Sequence, residues 1–151
     1  MGFAKCDVQT LVGHTGTVNS MAVLSNGLLV SCRDDTTIRL WDISSGYIVK
    51  TLIGSILPNS HVNFLALYPN GSLAAGSSDR NIRVWDTQTG QIISRMIIRD
   101  DIGSVLSLVV LSDGRLVNGS GEQTIRIWDI NTGKPVKRLN RIQIGVRLLK
   151  N

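Results

Sequence analysis

The chain has 151 residues, 42% of them hydrophobic and 18% charged, with a formal net charge of +5. No apolar run reaches 18 residues and no charged-then-apolar leader opens the sequence, so neither a membrane span nor a secretory signal is read from it. Two cysteines, Cys6 and Cys32, cannot build a disulfide framework and fit a reducing intracellular compartment, cytoplasmic or nuclear.

Asp7–Leu11 reads as an isolated strand. The apolar-rich run Val18–Val23 has strand length and leads to Asn26-Gly27, a dipeptide that supplies the positive φ angles of a type I′ hairpin turn. Leu28–Cys32 is the returning strand, and a polar tight connection then enters Ile38-Arg39-Leu40-Trp41-Asp42. Ser45-Gly46 turns the chain into a last strand, Tyr47–Leu52. The series then repeats as Val62–Leu67, Asn70-Gly71, Ser72–Ser77, Ile82 to Asp86, Thr89-Gly90 and Gln91–Met96. It repeats again as Val105–Val110, Asp113-Gly114, Arg115–Ser120, Ile125 to Asp129, Thr132-Gly133 and Lys134–Leu139, before Gly145–Leu149 opens a further copy.

The Trp-Asp pairs at 41, 85 and 128 are 44 and 43 residues apart, and both glycine markers keep those steps. A repeat of that length is a supersecondary unit that stacks on copies of itself. No window of about 11 residues sustains a helical period, so helix should be nearly absent. The expected fold is all-β: three four-stranded antiparallel units over roughly 11–52, 53–96 and 97–139, with an unpartnered strand at each end (6–11 and 145–149).

These residues resemble the WD-repeat β-propeller family, over roughly residues 6 to 149. The resemblance implies a partial propeller, with blades set radially around a channel. It also implies a side-chain network joining each Trp to a Ser or Thr, a turn carboxylate and a histidine that follows glycine. Carried over, the anchors are Trp41, Trp85 and Trp128, the turn acids are Asp35, Asp79 and Glu122, and the histidine is His14. The hydroxyl eight residues before the Trp is Ser77 or Ser120; the first copy has Arg33 there, with Ser31 as a substitute. Asp101 replaces the histidine in the third copy, and His61 in the second lies too close to its strand for that role. No copy holds the full set in the expected places, so the second and third blades are expected to be less rigid. Arg39, Arg83 and Arg126, two residues before each Trp, are blade residues on this reading.

Propellers have about four to eight blades, so three leave two blade faces open. About 400 Å² of apolar surface on each amounts to about 10 kcal/mol of lost burial. Three explanations follow: part of a longer protein, with further WD repeats in cis; a segment that closes a ring in trans with further copies of itself; or a weakly stable open arc.

Enzyme readings find no support. The sequence has no Gly-x-Ser-x-Gly elbow, no phosphate-binding Gly-Lys-Ser/Thr loop and no His-Glu-x-x-His helix. Two histidines and two separated cysteines are a poor ligand supply for zinc, and no metal or cofactor is expected. Asn70-Gly71-Ser72 and Asn118-Gly119-Ser120 match glycosylation sequons but lie in or beside repeat strands.

The expected function is a non-catalytic scaffold that presents propeller loops to a protein or peptide partner. Thr17, His61 and Ser104 precede the innermost strands, and Arg33, Asp34, Ser78, Arg80 and Glu122 lie in the adjoining tight connections. They differ between copies while the Trp-Asp frame is constant, as a variable reading surface requires. The alternative is a basic C-terminal edge, Lys134, Lys137, Arg138, Arg141, Arg147 and Lys150, that binds nucleic acid or another acidic surface. No aromatic residue follows Trp128 to stack on bases, which weakens it.

Overall fold

The computed structural model describes residues 9–99, 103–121 and 123–139. They form three four-stranded antiparallel sheets and no helix. The first sheet runs β1 (Val18–Val23), β2 (Leu29–Arg33), β3 (Thr37–Trp41), β4 (Ile48–Ile53). The second runs β5 (Val62–Leu67), β6 (Leu73–Ser77), β7 (Asn81–Trp85), β8 (Ile92–Ile97). The third runs β9 (Val105–Val110), β10 (Leu116–Ser120), β11 (Ile125–Asp129), β12 (Lys134–Leu139). In each, strand order follows chain order, because every connection is a turn too short to cross a strand. The innermost strands neighbour one another, β1 against β5 and β5 against β9.

The repeat extends to backbone irregularities. Register shifts fall between Leu40 and Trp41, Val84 and Trp85, and Ile127 and Trp128. A bulge re-aims the side chain beside it, here the same tryptophan each time.

The first hairpins are not type I′ turns. Leu24 and Leu28 close a three-residue loop (Leu24 N–H to Leu28 O, 2.9 Å), with Gly27 N–H also donating to Leu24 O at 2.9 Å. Only the glycine is left-handed, at φ 86° for Gly27, 85° for Gly71 and 84° for Gly114. That is a type I turn closed by a glycine bulge. The preceding Asn or Asp stays out of the left-handed region because its side-chain oxygen accepts the N–H two residues on, as Asn26 does from Leu28 at 3.2 Å. The returning strands start one residue later than expected, at Leu29, Leu73 and Leu116, since the loop takes one residue more.

The apolar cores lie between sheets. Leu24, Val30, Cys32, Ile38, Leu40 and Leu52 of the first sheet pack on Val62, Leu65, Leu73, Ala75 and Trp85 of the second. Tyr68, Ala74, Ile82, Val84, Met96 and Ile98 pack on Val105, Leu108, Leu116 and Trp128 of the third. Gly76 lies against the third sheet, and a Cβ there would run into Val105. Gly76→Ala is expected to destabilise the chain by about 1–3 kcal/mol through overpacking. Denaturant titration checks this, and an unchanged midpoint would show that the sheets separate freely.

The expected terminal strands are only partly within the described residues. Residues 9–11 carry no strand assignment, and Gly145–Leu149 lies outside them.

Candidate interaction surface

The tryptophan network is complete in the first sheet, with Ser31 standing in for the hydroxyl eight residues before the tryptophan. Trp41 Nε1 donates to Ser31 Oγ (2.7 Å), and Ser31 Oγ lies 2.6 Å from His14 Nε2. His14 Nδ1 in turn lies 3.1 Å from Asp35 Oδ2. Each donor is used once if the Ser31 hydroxyl proton goes to Nε2 and Nδ1–H to the carboxylate. The His14 ring tilts over the indole with centroids 5.8 Å apart.

The partner of the tryptophan is thus ten residues before it, not eight. In the third sheet that position is Asn118, which accepts from Trp128 Nε1 at 2.7 Å. In the second it is Ala75, which has no acceptor. Ser77 instead caps the turn, its Oγ accepting Asp79 N–H at 3.2 Å, and Ser120 is buried in the matching place. All three indoles are 2% exposed. Asn118 is fully buried with its oxygen committed to Trp128, so its sequon is part of the blade interior.

The turn acids hold an unusual backbone. The residue after the acid is left-handed in every copy: Thr36 at φ 67°, Arg80 at 63° and Gln123 at 59°. Asp35 Oδ1 accepts Thr37 N–H (3.0 Å) and Asp79 Oδ1 accepts Asn81 N–H (3.0 Å), bridging the strained residue from both sides. Asp79 is wholly buried and takes a fork from Arg83, with Arg83 Nη2 at 2.7 Å and Nη1 at 3.3 Å. Ser55 Oγ donates to it at 2.8 Å, doing for Asp79 what His14 does for Asp35. Arg83 and Arg126 are 4% and 2% exposed, so these two arginines of the stripe lie inside the blades, while Arg39 is half-buried. Glu122 and Asp101 lie outside the described residues.

Burial alone would raise the Asp35 carboxyl, but hydrogen bonds from Thr37, His14 and the Thr15 N–H outweigh it and hold it at about 2. A carboxyl depressed in the folded state contributes stability above its unfolded value, about 3.9, and loses that contribution as pH falls toward the folded value. The expected loss is about 2 kcal/mol between roughly pH 4 and pH 2. Urea midpoints of the wild type and Asp35→Asn should therefore converge as the solution is acidified. A constant difference across that window would refute the linkage.

The candidate contact residues gather at one end of the innermost strands. Asp34 N–H donates to Thr17 O (3.4 Å), Ser78 N–H to His61 O (2.9 Å) and Gly121 N–H to Ser104 O (3.1 Å). These three equivalent bonds place the candidates of each copy side by side. The first two sets also touch: His61 Nδ1 lies 3.4 Å from Asp34 Oδ1, and Ser78 Oγ accepts His61 N–H at 2.8 Å. Thr17 and Arg80 are exposed, while Arg33, Asp34, His61, Ser78 and Ser104 are half-buried. Arg33 Nε is buried there without a hydrogen-bond partner.

Asn19 and Asn63 went unnoticed in the sequence, although both follow the first valine of an innermost strand. Asn19 Nδ2 donates to Asp34 Oδ1 (2.7 Å) and to Val62 O (2.9 Å), and Asn63 Nδ2 to Val105 O (2.9 Å). They staple each sheet to the next. The third copy has Leu106 at this position, 55% exposed. Among the described residues no cluster of His, Cys, Asp or Glu could hold a metal ion, and no helix is long and apolar enough to cross a membrane. Cys32 is buried, and burial pushes its thiol up to about 12, which leaves it unreactive.

The comparisons with known proteins agree with this geometry. The family model "WD domain, G-beta repeat" matches residues 5–42, 46–86 and 98–129. Pleiotropic regulator 1 of Mus musculus is 38% identical over 53 residues, which is 35% of this chain and 10% of that protein; the Homo sapiens protein gives the same figures. Nuclear distribution protein PAC1 of Gibberella zeae is 39% identical over 57 residues, covering 32% of this chain and 12% of that one. The chain thus matches only about a tenth of the length of these relatives. The crystal structure of the WD40 β-propeller domain of Doa1 superposes with a TM-score of 0.75 at 24% identity, over 87% of this chain and 43% of that chain. Three matched repeats, three stacked four-stranded sheets and three buried tryptophan anchors make this chain a member of the WD-repeat β-propeller family.

Proposed function

We infer that the chain is a non-catalytic scaffold whose loop rim receives a protein or peptide partner. Propellers of this family are in general protein-interaction scaffolds. The observation that carries the reading here is contiguity: His61 of the second blade reaches Asp34 of the first across the rim. Loops far apart in sequence thereby form one surface of mixed charge. A second observation supports it: Arg80 is exposed in the left-handed region, where an arginine is strained and a glycine would not be. Keeping a long cation in that conformation makes sense for a contact residue.

The basic-edge reading is the weaker one. Lys134, Lys137 and Arg138 are exposed on β12, but Lys137 stands nine residues after Trp128, as Lys50 does after Trp41. Lys50 Nζ donates to the Thr87 and Gln88 carbonyls of the neighbouring blade, so that position has a packing use.

Peptides selected by display on the wild-type chain provide the probe. Arg80→Gly, which suits the local φ and spares the fold, and Arg33→Glu are each expected to weaken the selected peptides by about tenfold, equivalent to about 1.4 kcal/mol. Unchanged affinity for both variants would overturn the rim assignment. If a single-stranded oligonucleotide binds instead, with steep salt dependence and loss on neutralising Lys134, Lys137 and Arg138, the basic edge is the functional surface.

A further inference from the structure

The turns between the two inner strands of each blade lie at the end of the strands opposite the rim, and at the second blade they border two clefts. One, of about 400 Å³, is lined by Asn26, Asn70, Thr87, Gln88 and Ile93, among others. The other, of about 410 Å³, is lined by Tyr68, Asn70, Ile93, Gly114, Ile130 and Asn131. Both volumes fall in the range of about 300–1,000 Å³ that takes a ligand. Asn70 and Ile93 belong to both clefts, so the two form one groove across the second blade, from a turn of the first to the turns of the third. The second blade has a neighbour on either side, and every lining residue is among those described.

Tyr68 departs from the repeat. Seventeen residues before each tryptophan stand Leu24, Tyr68 and Leu111. Leucine fills this place in two blades, so packing there requires an apolar body and no hydroxyl. Tyr68 is 7% exposed, and its hydroxyl is buried with no hydrogen-bond partner among the described residues. Burial pushes it up to about 12, so it keeps its proton and is a donor at neutral pH. A buried donor without an acceptor is costly to a fold, and here the acceptor has to come from outside it.

The asparagines of the groove are donors for a different reason. Asn26 Oδ1 accepts Leu28 N–H (3.2 Å) and Asn70 Oδ1 accepts Ser72 N–H (3.0 Å). Each turn thereby engages the amide oxygen and leaves the amino group uncommitted. The third blade has Asp113 at this place, which offers only oxygens. Ile93, 53% exposed, adds an apolar wall between the two clefts. The carboxylate in the lining, Asp86, stands near Lys50, whose Nζ donates to the Thr87 and Gln88 carbonyls, so the groove has little charge to offer.

We propose that this groove takes an extended segment of a protein partner. Main-chain carbonyls of the segment accept from Asn26 Nδ2, Asn70 Nδ2 and the Tyr68 hydroxyl, and an apolar side chain rests on Ile93. An extended main chain suits a groove of uncharged donors, because every residue of it carries a carbonyl. The site is independent of the rim reading, since it lies at the other end of the strands.

A phage library of random linear peptides, panned on the wild-type chain, is the probe. Recovered peptides are measured against Tyr68→Phe and Asn70→Asp in the groove, and against Arg33→Glu and Arg80→Gly at the rim. Tyr68→Phe removes only the hydroxyl, so its melting temperature should equal or exceed that of the wild type. Asn70→Asp should keep the turn, since Asp113 makes the same one with Arg115 N–H at 3.1 Å, while it replaces a donor by an acceptor. The expected result is a class of peptides that loses about tenfold in affinity on each groove substitution and nothing on the rim variants. Peptides that respond to the rim variants alone would overturn the groove and leave the rim reading standing. Peptides that respond to neither set, or no peptides at all, would overturn the groove as well. So would a Tyr68→Phe variant that melts clearly lower, because the hydroxyl would then already have its partner within the folded chain.

Discussion

Replacing Trp41, Trp85 or Trp128 by alanine is expected to lower stability by about 3–5 kcal/mol, because each deletes a large aromatic from a packed interior. All three indoles are 2% exposed, and two of them fill the contact between neighbouring sheets. Phenylalanine separates packing from hydrogen bonding. Trp41→Phe removes the donor to Ser31 and frees one end of the His14–Asp35 chain. Trp128→Phe orphans Asn118, whose Nδ2 is already buried without a partner. Trp85→Phe breaks no such bond, since Ala75 stands at the acceptor position. The first two substitutions should therefore exceed the third by about 1 kcal/mol each. Equal costs for all three in guanidinium denaturation would mean that the polar network adds nothing to the packing.

Arg83→Met is expected to cost about 3–5 kcal/mol, the usual penalty for removing one member of a buried ion pair. It leaves the Asp79 carboxylate fully buried with only Ser55 and backbone donors, and it frees the Gly54 carbonyl that Arg83 Nη1 holds at 2.7 Å. Burial works against ionisation of Asp79, and the Arg83 and Ser55 hydrogen bonds overcome it, so the carboxyl lies below its usual value. The stability from this pair is therefore present above the ordinary carboxylate range and is lost as pH falls below it. Asp79→Leu combined with Arg83→Met should recover most of the loss, because no uncompensated charge remains. A double variant as unstable as the single ones would place the cost in shape rather than charge.

The blade plan was legible in the sequence because its signals are local. Strand-length apolar runs, Asn-Gly or Asp-Gly turns and the Trp-Asp dipeptides each act within a few residues, and the period multiplies them. All twelve described strands fall within a residue or so of their expected bounds. The acceptor for the tryptophan was not legible, because it depends on register across two strands. Trp41 pairs with Leu29 and Arg39 with Ser31, so Ser31 is one diagonal step from the indole. The residue eight before the tryptophan pairs near position 37, about 13 Å along the strand from the level of the tryptophan, at about 3.3 Å per residue. Spacing in one dimension cannot distinguish these two positions, which share a face of β2.

The rim shows the same division. Sequence determined which residues vary between copies, and with them the candidates Thr17, Arg33, His61, Arg80 and Ser104. Tertiary structure alone brought His61 onto Asp34, 27 positions away, and set Asn19 to staple two blades through Val62 O. It also decided which apolar side chains are core. Ile38, Ile82 and Ile125 occupy one repeat position, yet two are 0% exposed and the third is 45% exposed. The physical reason is that a blade cannot cover both of its own faces: composition and period determine the repeating unit, while burial depends on whether a neighbour is present.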